Sequence, residues 1–145
     1  DGEEATVQWS DTDSLYGSRH LAAKWKTDGT AQKIKAFILL DMIGDKGLDV
    51  TRDTNSTRWL QDVVGRAAQR LGYQSYFYKT EQPVEDDHIP FKNAGIPVVD
   101  VIDFNYGFNN LFHHTTEDTM DKISPKSLQI IGDTMMETIR ALNTR

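Results

Sequence analysis

The sequence predicts an α/β fold, a three-layer sandwich in which a mixed, largely parallel sheet is flanked by helices. Segments with strand character alternate along the chain with amphipathic helical segments, which is typical of this class. The strand segments at 36–40 and 96–102 are apolar at nearly every position, as in sheets covered on both faces. The 145 residues, 38% hydrophobic and 26% charged, suit a single globular domain with a buried core.

The first third predicts one helix and one strand. Residues 14–25 carry apolar side chains at helical spacing, namely Leu15, Leu21, Ala22 and Trp25. Either Asp13 or Ser14 can cap the start of this helix. After a turn at Asp28-Gly29, the short apolar run 36–40 predicts a strand buried on both faces.

The middle third predicts a loop, a helix and a short strand. Residues 51–57 are polar and loop-like, and 74–78 have the composition of a short strand. Between them, 58–71 predicts a helix that Gly72 ends. Its apolar side consists of Trp59, Leu60, Val63, Val64, Ala67 and Leu71.

The last third predicts a second buried strand between two helices. A helix is expected at 87–94, closed by Gly95, and a strand at 96–102. A loop rich in Asn, Gly and aromatic residues follows at 105–114. Ser124-Pro125 then opens the final helix, with Ser as the cap and Pro in the first position. The apolar stripe of this helix is Leu128, Ile131, Met135, Ile139 and Leu142.

Composition excludes several functional classes. The chain has 16 Lys and Arg against 22 Asp and Glu and no basic block, so it is not expected to bind nucleic acid. No apolar run approaches the roughly 18 residues of a membrane span. The absence of cysteine excludes disulfides and thiolate sites, so any metal site must use His, Asp and Glu.

Ligands of parallel sheets bind beyond the carboxyl ends of the strands, and acidic clusters fall at such places. In the adjacent pair Glu3-Glu4, one carboxylate could bind a metal while the other moves protons, or both could be solvated surface acids. Asp41 follows a buried strand and needs a partner, a metal or water, unless it serves as a loop or capping acid.

Two further clusters combine carboxylates with imidazoles. Asp87 can cap the following helix, which leaves Asp86 for proton transfer, since close carboxylates raise one pKa. His88 is either a ligand or a hydrogen-bonding helix residue, and we favour the second interpretation. In the pair His113-His114, adjacent extended side chains face opposite ways, so at most one is expected to bind an ion. Asp118 is a candidate to orient that ligand.

The order of the motifs is more specific than any one of them. In sequence these are Asp1-Gly2-Glu3-Glu4-Ala5, Trp9-Ser10, residues 13–22, residues 39–44, residues 86–91, residues 95–98 and His114-Thr115. This series closely resembles glutaminyl-peptide cyclotransferases (glutaminyl cyclases), which belong to the superfamily of zinc-dependent aminopeptidases. The resemblance covers nearly the whole chain.

The resemblance implies a reaction and a set of residues for it. An N-terminal Gln attacks its own side-chain amide with its α-amine, pyroglutamate forms, ammonia leaves, and Zn²⁺ polarises the γ-carbonyl. The resemblance makes Glu3 the general acid/base and Glu4 and His114 zinc ligands. The remaining assignments are the acidic residues Asp41 and Asp86 around the centre, the aromatic wall Trp9, and the substrate-binding candidates His113 and Phe112.

The resemblance also implies what surrounds this segment. The family's third zinc ligand, an Asp, precedes the Asp-Gly-Glu-Glu motif, so residues 1–145 are expected to be the C-terminal portion of one catalytic domain whose N-terminal strands are missing. The cyclases resembled most have Trp where His113 stands. Peptide N-termini are the expected substrates, and the location is expected to be extracytoplasmic, periplasmic or secreted. The oligomeric state stays open.

Two other functions remain as alternatives. An aminopeptidase, a hydrolase of the same superfamily, would cleave N-terminal residues with a zinc-activated water. Such enzymes usually have Ser where Asp86 stands, so Asp86 and Trp9 favour the cyclase. The other alternative is a non-enzymatic binding module that has lost its zinc, and the retained Glu3, Glu4, Asp41 and His114 argue against it.

Overall fold

The computed structural model describes residues 2–144, so the Asp1 position of the N-terminal motif lies outside the described residues. The helices are α1 (Tyr16–Thr27), α2 (Arg58–Arg70), α3 (His88–Asn93) and α4 (Pro125–Asn143). The strands are β1 (Phe37–Asp41), β2 (Val50–Asp53), β3 (Phe77–Gln82) and β4 (Val98–Ile102). No helix within 2–144 is long and apolar enough to cross a membrane.

The strands pair in parallel, which confirms the predicted α/β class with parallel strands flanked by helices. β1 pairs with β4 in a register that sets Leu39 beside Asp100, and β2 pairs with β3. The two pairs are joined through the segment after β2, because the Thr57 N–H donates to the Val98 carbonyl at 2.7 Å. The β2–β3 pair runs opposite to β4, because Asp49, before β2, donates its N–H to the Asp103 carboxylate, after β4, at 2.8 Å.

β4 separates two helical layers, because its side chains alternate between two cores. Val99 and Val101 belong to the larger core, which α2 and α4 cover. Val98 belongs to a smaller core with α1 and α3, where Phe91 stacks on Phe37 at 4.1 Å between ring centroids. Alternation of side chains along a strand is what allows both faces to be buried.

The start of α1 differs from the prediction. Leu15 occupies the capping position with φ 51°, and neither Asp13 nor Ser14 caps the helix through its side chain. The Ser14 hydroxyl instead donates to the Ser10 carbonyl at 2.8 Å. The free N–H groups of Leu15 and Tyr16 donate to the Glu3 and Gly2 carbonyls at 2.8 and 2.7 Å. The helix start is therefore satisfied by the N-terminal segment.

Three strand predictions need correction. β1 is not buried on both faces, since within residues 2–144 it pairs only with β4, and Leu40 is 43% exposed. The segment 51–57 is not all loop, because β2 extends to Asp53 and the buried side chains of Thr51 and Asp53 find hydrogen-bond partners in Thr80 and Ser56. The segment 74–78 begins as a 3-10 turn at Gln74–Tyr76, and only then does β3 start.

The predicted helices have nearly the observed lengths, but the residues that they bury differ in part from the prediction. Trp59 of α2 and Leu71, directly after it, are more than a third exposed. Gln61 is buried instead, and its side-chain amide donates to the Asp53 carbonyl at 2.7 Å. In α4, Leu128 and Ile139 are exposed, and the buried positions are Ser127, Ile130, Ile131, Thr134, Met135, Thr138 and Leu142. Two of the small polar side chains buried here bond to backbone carbonyls, the Thr134 hydroxyl to Ile130 within the helix and the Ser127 hydroxyl to Asp45.

The predicted helix boundaries set by turn chemistry are confirmed. The Ser124 hydroxyl accepts a hydrogen bond from the Lys126 N–H at 3.2 Å, with Pro125 as the first residue of α4. Gly72 and Gly95 follow α2 and α3 with φ 77° and 87°, a conformation that L side chains disfavour.

Candidate active site

A cavity of about 540 Å³ opens beyond the carboxyl ends of β1 and β4. Asp41 and Ile102, the last residues of these strands, both line it. The cavity is lined by six of the eight candidates from the sequence, namely Glu3, Trp9, Asp41, Asp86, His113 and His114. Glu4 contacts the cavity through His114, whereas Phe112 does not line it. The cavity sits where parallel-sheet proteins bind their ligands.

Glu4 and His114 form a pair at the cavity. The His114 Nε2 atom lies 2.9 Å from the Glu4 Oε1 atom, and both side chains are about 60% exposed. The His113 ring stacks on the His114 ring at 3.8 Å between centroids. A carboxylate and an imidazole suit zinc, which takes three protein ligands in catalytic sites. Residues 2–144 contain no group of three or more His, Cys, Asp or Glu side chains placed to hold a metal, so they offer two of those ligands.

Two acidic residues at this cavity, Glu3 and Asp86, have raised pKa values. Burial raises the pKa of Glu3, and the neighbouring Glu4, Asp87 and Asp41 charges raise it further, against a smaller opposing effect of His114. Burial, together with Asp41, Asp87 and Glu3, raises the pKa of Asp86 to about 7, although the Asp87 N–H favours its ionised form. Groups that exchange protons near neutral pH are suited to acid–base catalysis.

The structure gives Asp86, and not Asp87, the contacts at the start of α3 that the sequence analysis had assigned to Asp87. The Asp87 side chain does not cap α3. Asp86 organises this helix start, since its carboxylate accepts the Asp87 N–H at 2.5 Å and its carbonyl accepts the Ile89 N–H at 2.9 Å. Asp86 is also mostly buried and lines the cavity. The helix start therefore fixes the position of the carboxylate that the sequence left for proton transfer.

Phe112, a substrate-binding candidate, packs away from the cavity. Its ring meets Tyr106 edge-on at 5.4 Å, and a Cβ atom at Gly107 would lie 2.6 Å from it. Gly107, with φ 75°, is therefore required by this close approach. Phe112 therefore packs against Tyr106 and Gly107 of the aromatic loop.

Asp118 does not contact His114 in the way that the sequence interpretation suggested. The Tyr106 hydroxyl donates to the Asp118 carboxylate at 2.6 Å, and both residues line the cavity. This hydrogen bond, together with burial, raises the pKa of Tyr106 to about 12. Asp118 thus joins the aromatic loop to the segment that follows it.

Sequence reasoning missed a buried acidic group behind the cavity. Asp53, His88 and Asp100 are all fully buried. The His88 Nε2 atom lies 3.0 Å from Asp53 Oδ2, and its Nδ1 atom lies 3.6 Å from Asp100 Oδ2. His88 lies between two carboxylates and does not line the cavity, in line with the interpretation we favoured. The signal was an acid inside an apolar strand, Val99-Asp100-Val101, because buried acids require partners.

The two carboxylates of this group have opposite proton affinities. Burial acts to raise the pKa of Asp53, but His88, the Ser56 hydroxyl and the N–H groups of Asn55 and Val84 outweigh it, so the pKa is lowered. Burial, with Asp86, Asp53 and Asp41 adding to it, raises the pKa of Asp100 to about 9. Asp53 is therefore ionised and Asp100 protonated at neutral pH.

Asp100 predicts a pH dependence of stability. An unfolded Asp has a pKa of about 3.9, so between about pH 4 and pH 9 the folded protein holds a proton that the unfolded chain lacks. The free energy of unfolding contributed by Asp100 therefore falls as the pH rises through that window. In urea titrations, the free energy of unfolding of Asp100→Asn minus that of wild type should therefore be larger at about pH 8 than at about pH 5. A stability difference between the two proteins that is equal at both pH values would contradict the assignment.

The fold is that of an α/β domain with parallel strand pairs flanked by helices, and comparison with known proteins agrees. The model of Peptidase family M28 matches residues 1–139, so the chain belongs to that family. Within the family, it is similar to glutaminyl cyclases. A glutaminyl cyclase from an Acidobacteriales bacterium has 57% sequence identity and a TM-score of 0.97, over 100% of this chain and 51% of that one.

Other relatives share this similarity at lower identity. The glutaminyl-peptide cyclotransferase of Boiga irregularis is 32% identical over an alignment that covers 91% of this chain and 41% of that protein. A leucine aminopeptidase precursor from Bacteroides thetaiotaomicron is 25% identical with a TM-score of 0.73, over 92% of this chain and 47% of that one. The chain thus spans about half the length of these relatives, or less.

Proposed function

We propose that this chain is part of a zinc-dependent glutaminyl cyclase, which converts an N-terminal Gln into pyroglutamate and releases ammonia. The observation that carries the proposal is the placement of Glu3 and Asp86 in one cavity with the Glu4–His114 pair. Proton-transfer groups and metal ligands then face the same bound substrate. Similarity to glutaminyl cyclases over nearly the whole chain supports the same reaction.

The chain's own residues account for the proton movements of this reaction. The α-amine nitrogen of the substrate bonds to its γ-carbonyl carbon, and the bond from that carbon to the amide nitrogen breaks. Glu3 accepts the proton from the amine and delivers it to the leaving nitrogen, which departs as ammonia. Burial and the nearby Glu4, Asp87 and Asp41 charges raise the pKa of Glu3, which favours its taking up the proton that it then returns. Trp9 and His113 form walls that hold the substrate side chain.

Glu4 and His114 would hold the zinc ion in this proposal. Bound zinc supplies Lewis acidity toward the substrate carbonyl oxygen. A third protein ligand would have to come from outside the described residues, which is consistent with residues 1–145 being the C-terminal portion of one catalytic domain. Peptides and proteins with an N-terminal Gln are the proposed substrates, and the proposed location is periplasmic or secreted.

An aminopeptidase is the second candidate, and the similarity to a leucine aminopeptidase precursor favours it. The same Glu3 would then activate a water that attacks the peptide carbonyl. The buried Asp86, where such enzymes usually have Ser, favours the cyclase.

One experiment separates the candidates. The purified protein, including any sequence that precedes or follows these 145 residues, is supplied with zinc and given either a Gln dipeptide or a leucyl anilide. We expect ammonia release from the dipeptide without cleavage of the anilide. Anilide cleavage alone would establish the aminopeptidase, and turnover of neither substrate would restore the binding-module alternative.

A further inference from the structure

The segment between Glu4 and α1 carries Trp9 but has almost no hydrophobic anchor. Residues 5–12 are nearly all exposed, with Val7 93% and Trp9 38% exposed. Burial of apolar surface therefore cannot hold this segment in one conformation. Its order must come from hydrogen bonds, and the residue that supplies most of them is Asp13.

Asp13 receives five hydrogen bonds on one carboxylate. Its Oδ1 atom accepts from the Thr6 N–H at 2.8 Å, the Thr6 hydroxyl at 2.7 Å and the Tyr16 hydroxyl at 2.6 Å. Its Oδ2 atom accepts from the Val7 N–H at 2.8 Å and the Gln8 N–H at 2.9 Å. The Tyr16 hydroxyl and the N–H groups of Gln8 and Thr6 hold the pKa of Asp13 far below its ordinary value. The carboxylate is therefore ionised throughout the working pH range.

These bonds bracket Trp9 on both sides. The residue before it, Gln8, donates its N–H to the Asp13 side chain. The residue after it, Ser10, accepts the Asp13 N–H on its carbonyl at 3.1 Å and on its hydroxyl at 3.1 Å. The backbone of Trp9 is thus fixed relative to Asp13, while Glu3 is fixed separately by the Leu15 N–H.

We propose that Asp13 is a positioning residue that holds Trp9 against the cavity as its aromatic wall. This inference takes one element from the proposed function, namely that Trp9 contacts the substrate. The Glu3 carbonyl is held by the Leu15 N–H at the start of α1. Loss of the Asp13 carboxylate should therefore loosen the Trp9 wall without displacing the acid–base group. Asp13 therefore governs substrate affinity, and Glu3 governs the chemical step.

The test compares Asp13→Asn with Asp11→Asn. Asn keeps the size of the side chain but offers a single acceptor oxygen, so the three backbone N–H groups cannot all be satisfied. Asp11 lies in the same loop, and its carboxylate accepts no hydrogen bond within residues 2–144. The protein contains three tryptophans, and labelling with 5-fluorotryptophan gives each a fluorine NMR resonance. A Trp9→Phe variant assigns the resonance of Trp9.

We expect Asp13→Asn to shift or broaden the Trp9 resonance and to leave those of Trp25 and Trp59 in place, while Asp11→Asn changes none. With a Gln dipeptide, KM should rise roughly 10-fold in Asp13→Asn and kcat should stay within about 2-fold. Thr6→Val, which removes only the hydroxyl bond to Asp13, should have a smaller effect of the same kind.

Two outcomes would overturn the proposal. One is a Trp9 resonance that is unchanged in Asp13→Asn. The other is a change of all three tryptophan resonances together with an equal fall in kcat and kcat/KM, which would mean general destabilisation. The NMR result does not require turnover, so failure of the proposed activity and failure of this inference are distinguishable.

Discussion

Replacing Glu3 with Gln is expected to lower kcat for Gln dipeptide cyclisation by roughly 10² to 10⁴-fold. Gln has the shape of Glu but cannot accept the proton of the attacking amine at neutral pH. KM should change little, because Trp9 and His113 still form the cavity walls. The metal content of the purified protein should equal that of wild type, since Glu4 and His114, the proposed zinc ligands, are untouched.

Glu117→Gln provides the matched control for this substitution. Glu117 is an exposed carboxylate that does not line the cavity, and its loss should leave kcat near the wild-type value. If Glu3→Gln retained near-normal turnover, the assignment of Glu3 as the acid–base group would be wrong. If it lost metal as well as turnover, the separation between proton transfer at Glu3 and metal binding at Glu4 would be wrong.

His88→Leu is expected to lower the free energy of unfolding by about 3–5 kcal/mol. His88 and Asp53 are both fully buried, and the imidazole Nε2 atom lies 3.0 Å from the carboxylate. Without the imidazole, an ionised Asp53 stays in the interior with the Ser56 hydroxyl and two backbone N–H groups as its remaining partners. Urea unfolding at neutral pH measures the loss.

His20→Leu is the control, because His20 is exposed on α1 and its replacement should change the free energy of unfolding by no more than about 0.5 kcal/mol. The double variant Asp53→Asn/His88→Leu tests the cause. Removing the buried charge should make it more stable than the sum of the two single effects predicts. Simple additivity, or equal effects of His88→Leu and His20→Leu, would contradict the pairing.

Most elements could be predicted from local sequence because their signals are local. Ser124-Pro125 and Gly95 act through the backbone of their own turn, so the boundaries that they set agree with the structure. β2 was not predicted because its Thr51 and Asp53 are polar, and polar residues are buried only where another segment supplies partners. Those partners, including Thr80 and Val84, are about 30 residues away in the chain.

The site divides in the same way. The residue types and order of Glu3, Asp41, Asp86 and His114 indicated a cavity of carboxylates and imidazole, and the parallel-strand rule placed them at one edge. The direction in which each side chain points was not predictable. Phe112 packs against Gly107 and does not line the cavity. The Asp86 carboxylate, and not that of Asp87, accepts a backbone N–H at the start of α3.

The sequence by itself therefore determined the α/β class, the turn-defined boundaries, and the acidic and histidine residues that converge at the strand ends. These follow from backbone propensity and from side-chain periodicity, which act over a few residues. Only the tertiary structure decided which carboxylates keep a proton. The raised pKa values of Asp86 and Asp100 arise from burial and from neighbouring charges brought together by folding. The anchoring of Trp9 by Asp13 was likewise decided there, because five donors on one carboxylate depend on the path of the backbone.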